Sequence, residues 1–241
     1  MTESSVDVVP VAAPTRVPVR GGGTFPVRRI YCVGRNFADH AREMGAEAPA
    51  SKADRGTPVF FAKPADAIVV SADVPYPTAT RDLHHEVELV AALGRDAPPG
   101  ELSVDDAAAL VYGYAVGLDL TRRDLQAAAK AKGLPWDIAK GFDASAPIGA
   151  LVPAAEVGEL AGRTLSLRVN GELRQTSPLD QLIWDVPEIL HELSKLFALR
   201  AGDLVFMGTP AGVAALLPGD TCEARLDDVL ELHCRITSPP L

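Results

Sequence analysis

The chain has 241 residues, 47% hydrophobic and 23% charged, which is enough apolar material for a globular core and excludes a disordered or fibrous protein. A formal net charge of -9 works against nonspecific attraction to nucleic acid phosphates or anionic lipids, and no apolar run approaches the roughly 20 residues that span a bilayer as a helix, so neither is an expected partner. Cys32, Cys222 and Cys234 are odd in number and irregularly spaced, without a disulfide framework or a zinc pattern, and read as buried free thiols of a cytoplasmic protein.

Residues 1–24, rich in Pro, Val and Gly and lacking the basic start of a signal peptide, are expected to be a flexible extension of a single domain over 25–241. Residues 39–44 suit a short helix, "PVFFAKP" and "AIVV" are strand-like, and "HEVELVAAL" and "ALVYGYAVGLDLT" suit longer strands. "RRDLQAAAKAKG" has helical composition and should stop at Gly133. "TLSLRVNGELRQTS" signals a hairpin, because Asn170 and Gly171 accept the positive φ values of a type I′ turn. "VPEILHELSKLFAL" carries apolar residues at helical spacing with Pro187 near its start, and "DLVFMG", "TCEARL" and "VLELHCRI" supply late strands. Many short strands with few helices make a β-rich α+β domain.

Three features carry chemistry. Glu86 and Glu88 stand at i and i+2 of "HEVELVAAL" and share one face of a strand. Alone, the pair fits an amphipathic strand whose acidic face meets water. Asp119, at the end of another apolar run, adds a third carboxylate, and three such groups make a hard oxygen site for Mg²⁺ or Mn²⁺. In "GRNFADHAREMG", His40 and Glu43 are neighbours on one helix face, which suits either a surface ion pair or a base whose free nitrogen is fixed by its carboxylate.

Six blocks in order, "RRIYCVGRNFADHAREMG", "PVFFAKPADAIV", "LHHEVEL", "YGYAVGLDLTRRDLQAAAKAKGLPWDIAKGFDASAPIG", "LRVNGELRQ" and "GDLVFMGTPAGV", resemble the fumarylacetoacetate hydrolase superfamily over about residues 27–237. The likeness is to its small acylpyruvase members of the bacterial fumarylpyruvate hydrolase type, and also to mitochondrial acylpyruvases that decarboxylate oxaloacetate. It implies a mixed β-roll of the C-terminal-domain type with short helices, an N-terminal lid segment and a homodimer. By motif, Glu86, Glu88 and Asp119 would ligate Mg²⁺ or Mn²⁺, and His40 with Glu43 would activate water on the lid. Lys140 would face the reacting carbonyl, while Arg123, Gln126 and Thr209 would hold substrate oxygens. Arg42, Lys52 and Arg55 are the candidates for a distal acyl group, and Phe37 departs from the family's more usual Tyr at that position.

The expected reaction is hydrolysis of an acylpyruvate, most simply fumarylpyruvate to fumarate and pyruvate, with a small keto acid as the partner. Oxaloacetate decarboxylation or keto-enol tautomerisation is the alternative, because it needs the metal and no water nucleophile. A keto acid binder without turnover is the third reading, and the intact His40 and Glu43 pair argues against it.

Overall fold

The strand Val87–Leu93 is buried along its whole length, and the rest of the domain is arranged to cover it. It pairs antiparallel with Val111–Leu118 on one side and with Asp203–Phe206 on the other. Asp203–Phe206 runs parallel to Arg29–Gly34, and Val59–Lys63 and Val152–Pro153 close the edges of this six-stranded sheet. The second sheet has five strands, in the order Glu172–Pro178, Thr164–Val169, Thr221–Leu226, Leu230–Thr237 and Asp73–Pro75. The computed structural model describes residues 7–239 apart from 44, 46 and 48.

Burial on both faces explains why the central strand is apolar beyond its acids. Leu89, Ala91 and Leu93 join Val116, Leu118, Leu165, Leu167, Ala224 and Leu226 in the larger core cluster. On the opposite face Val90 and Ala92 meet Ala115, Leu204, Phe206, Ile30 and Cys32. Each leucine-sized side chain removed from water there contributes about 1.5–3 kcal/mol. Mixed sheets with short helices are the β-rich α+β architecture that the resemblance implies.

Local signals hold where their chemistry is local. Asn170 and Gly171 take φ 53 and 80 in the hairpin turn, and Gly133 caps the helix Arg123–Lys132 at φ 63. The late helix runs only Val186–Ser194, capped by Asp185 and Glu188 in a reciprocal box, and the chain then tightens into a turn with Leu196 N–H donating to Leu193 O. The strand Arg29–Gly34 was not among the expected elements; its run "IYCV" is buried without alternation, a pattern that does not distinguish strand from helix.

Of the expected extension, residues 1–6 lie outside the described residues. Arg16–Pro18 pairs with Thr24–Pro26, and Val17 is buried in the second core cluster, so packing begins ahead of residue 25. The three thiols are buried and free. Among the described residues, no helix is long and apolar enough to cross a membrane.

Candidate active site

Antiparallel pairing sets Val87 opposite Leu118, so the start of one central strand meets the end of the next. Glu86 and Glu88 are thereby brought to Asp119, whose N–H donates to Glu86 O at 2.8 Å. One carboxylate oxygen from each residue lies within 4.8 Å of the other two. Exposures of 5%, 1% and 0% for Glu86, Glu88 and Asp119 exclude a solvated acidic face.

Three cations answer these acids, unequally. Lys140 Nζ lies 2.7 Å from Glu86 Oε2 and 2.5 Å from Asp119 Oδ2. Arg123 reaches Glu86 Oε1 at 2.5 Å and Gln126 Oε1 at 2.6 Å. Lys63 donates to Leu120 O and Lys140 O, and its Nζ stands 2.8 Å from Asp119 Oδ1, an ion pair without an aligned hydrogen bond. Burial alone would raise the Glu86 carboxyl, but Lys140 and Arg123 overcome it and hold that group below the usual carboxylate range. Burial would likewise lower the Lys140 ammonium, and Asp119 and Glu86 hold it above its ordinary value.

Glu88 stands apart. Among the described residues the one hydrogen bond to its carboxylate comes from Gly208 N–H, at 2.7 Å. Burial pushes its carboxyl well up, and the adjoining Asp119 and Glu86 push it further. The bond from Gly208 needs a glycine: φ is +92°, and a Cβ there would come 2.8 Å from Asn36 Cβ and 3.0 Å from Val33 O. Three hard oxygen donors, one of them with no cation paired against it and another with an oxygen lacking an aligned donor, fit a divalent cation.

His40 and Glu43 lie on the short helix Ala38–Glu43, with His40 Nδ1 3.0 Å from Glu43 Oε2. Glu43 Oε1 also accepts from Gly212 N–H at 3.0 Å, which ties this helix to the loop beyond Thr209. A carboxylate acceptor requires Nδ1 to carry the hydrogen, so Nε2 is the ring nitrogen left to act as a base. His40, Glu86, Glu88, Asp119, Arg123, Gln126, Lys140 and Thr209 line one cleft. Glu43 reaches that cleft through His40.

Several expected contacts are differently engaged. Arg123 is held by Glu86 and Gln126 rather than left open. Arg42 pairs with Asp39, while Lys52 and Arg55 both pair with Glu188. Sequence reading passed over Lys63, whose signal was a lysine closing the apolar run "VFFA", and Gln175 on the hairpin.

Gln175 is buried and uses both ends of its amide. Oε1 accepts from Val87 N–H at 3.0 Å and His85 Nδ1 at 2.9 Å, and Nε2 donates to Thr209 Oγ1 and Pro210 O, each at 2.8 Å. Because Gln175 fills the acceptor side of the Thr209 hydroxyl, that hydroxyl is free to donate into the cleft. Gln175→Leu should leave Val87 N–H unpaired and lower unfolding free energy in urea by about 1–3 kcal/mol. Unchanged stability would show that these bonds contribute nothing.

The family described as fumarylacetoacetate (FAA) hydrolase C-terminal matches residues 29–237. The crystal structure of fumarylpyruvate hydrolase from Pseudomonas aeruginosa, in complex with Mn²⁺ and pyruvate, superposes with a TM-score of 0.89 at 47% identity, covering 97% of this chain and 100% of that one. A mitochondrial oxaloacetate tautomerase of Bos taurus is 40% identical over 215 residues, 88% of this chain and 93% of that protein. A mitochondrial oxaloacetate decarboxylase of Dictyostelium discoideum is 38% identical over 201 residues, 83% of this chain and 88% of that protein.

Proposed function

This chain belongs to the fumarylacetoacetate hydrolase family, and from that premise we propose that it hydrolyses the carbon-carbon bond of an acylpyruvate, with fumarylpyruvate giving fumarate and pyruvate. The observation that carries this reading is a buried acid triad in the same cleft as a histidine whose Nδ1 is taken by a carboxylate. Likeness to a fumarylpyruvate hydrolase over nearly the whole chain supports the choice of substrate.

Glu86, Glu88 and Asp119 would hold Mg²⁺ or Mn²⁺, which when bound supplies Lewis acidity toward the oxygens of a 2-oxo acid. His40 Nε2 removes a proton from water as the water oxygen adds to the distal carbonyl carbon, and Glu43 holds the ring and steadies the imidazolium. The Lys140 ammonium and the Thr209 hydroxyl, both in the cleft wall, stabilise developing oxyanion charge. The bond to the pyruvate fragment then breaks, its electron pair goes to the methylene carbon, and the imidazolium returns the proton there. Acid and pyruvate leave with atoms balanced.

The mitochondrial relatives favour a second reading, turnover of oxaloacetate by decarboxylation or tautomerisation. A panel of fumarylpyruvate, acetylpyruvate and oxaloacetate, assayed on metal-stripped protein before and after Mg²⁺ or Mn²⁺ is restored, tests both. Fumarylpyruvate should turn over fastest and only with metal. Oxaloacetate turned over faster by orders of magnitude would sink the hydrolase assignment.

A further inference from the structure

Most cations near the cleft are already answered by anions. Lys140 and Lys63 pair with Asp119, Arg123 with Glu86, and the expected acyl-group candidates Arg42, Lys52 and Arg55 with Asp39 and Glu188. Two cleft-lining cations stand outside this pairing, Lys130 and Arg35, and among the described residues neither side chain forms a hydrogen bond or ion pair.

Their placement is built in. Arg123, Gln126 and Lys130 recur at three- and four-residue spacing on the helix Arg123–Lys132, so one helix face turns all three toward the cleft. Lys130 is half-buried, with Nζ 5.1 Å from the Trp136 ring centroid, and Trp136 lines the same cleft. Arg35 stands at the rim, at φ 59, where the strand Arg29–Gly34 turns into the His40 helix. Its neighbour Asn36 fixes that turn by donating to Met207 O at 2.8 Å and Trp184 O at 3.0 Å. Burial lowers the Lys130 ammonium, and Arg123 and Arg35 lower it further, as a locality with more cations than anions requires.

Resting on the reading that the substrate is fumarylpyruvate, which carries a carboxylate at each end, we propose that Lys130 and Arg35 are the residues that receive its distal carboxylate and so set the preference over monocarboxylic acylpyruvates. The acid triad serves the 2-oxo acid end, Lys140 the reacting carbonyl, and the pair on the wall and rim the far end. Lysine offers a point charge and arginine a planar fork, together a receptor for two carboxylate oxygens.

Binding of two unreactive acids tests this without turnover. 2-Oxoheptanedioate and 2-oxoheptanoate have the same chain length, differ in the terminal carboxylate and lack the cleavable dioxo unit. In calorimetry on Mn²⁺-loaded protein, the diacid should bind roughly tenfold to a hundredfold tighter, the range for hydrogen bonds to charged groups. Lys130→Met should cut that ratio sharply, Lys130→Arg should keep most of it, and Lys130→Met combined with Arg35→Gln should bring the two acids level. Equal affinity in the unaltered protein, no binding by either acid, or a loss in Lys130→Met shared equally by both would overturn the assignment. Because neither acid is cleaved, a failure of the hydrolase reading appears separately, as absence of pyruvate release from fumarylpyruvate.

Discussion

Glu88→Gln is expected to abolish divalent metal binding while leaving the metal-free protein at least as stable as the unaltered one. The two effects part because Glu88 is buried beside Asp119 and Glu86, and the one hydrogen bond to its carboxylate among the described residues comes from Gly208 N–H. Glutamine keeps an acceptor for that bond and removes a charge the site tolerates poorly without a cation. Metal at about 100 times its Kd should stabilise the unaltered protein by about 2.7 kcal/mol, a rise in Tm of about 5–10 °C for a chain of this size. The variant should show no such rise. Asp119→Asn should lose the metal response as well but, unlike Glu88→Gln, destabilise the metal-free protein: it leaves Lys63 and Lys140 without a shared countercharge, and breaking a buried pair costs about 3–5 kcal/mol. Thermal melts of both variants with and without Mn²⁺ check the contrast, and an unaltered metal response in Glu88→Gln would remove Glu88 from the site.

The same groups give the metal-free protein opposing pH dependences. Glu88 has a folded-state pKa above its unfolded value, so its contribution is complete below the ordinary carboxylate range and is lost as pH rises through the shifted value. Glu86 is held below that range, so its contribution is present above it and is lost as pH falls. Glu88→Gln should therefore flatten the loss of stability as pH rises above the ordinary carboxylate range and spare the loss as pH falls below it.

His40→Ala is the second large effect. Pyruvate release from acylpyruvates should fall about 10²–10⁴-fold, mostly in kcat, because the variant lacks the base and retains the triad. Metal affinity should hold, since His40 is not among the three grouped acids. Any turnover of oxaloacetate should survive far better, because loss of carbon dioxide requires no water nucleophile. Glu43→Gln should cost less than His40→Ala, since an amide oxygen can still accept from Nδ1–H but no longer offsets the charge on the ring. A His40→Ala protein that hydrolyses acylpyruvates at the full rate would rule out the assigned base.

What was legible in the sequence depended on how local its cause was. The Asn170-Gly171 turn and the Gly133 cap follow from φ preferences of one or two residues. Period two placed Glu86 and Glu88 on one face, but their burial arises from strands contributed by distant parts of the chain, Val111–Leu118 and Asp203–Phe206. Joining Asp119 and the His40 pair to those acids came from the order of motifs, which composition and spacing do not supply. Lys63 was missed because a lysine after "VFFA" looks like the wet end of an edge strand, whereas Asp119 draws it inside. Gln175 was missed for the same reason: its partners lie at residues 85, 87, 209 and 210, and no local pattern joins them. Arg42, Lys52 and Arg55 stand as acyl-group candidates in the sequence because Asp39 and Glu188 become their partners only after folding.

The central claim is that this cleft adds water across a carbon-carbon bond, and isotopic labelling tests it most directly. Metal-loaded protein should be given fumarylpyruvate in water enriched in heavy oxygen and the products weighed by mass spectrometry. The account predicts fumarate carrying one solvent oxygen in the newly formed carboxylate, released in equal amount with pyruvate and only when metal is present. Absence of labelled fumarate, alongside metal-dependent turnover of oxaloacetate, would contradict it.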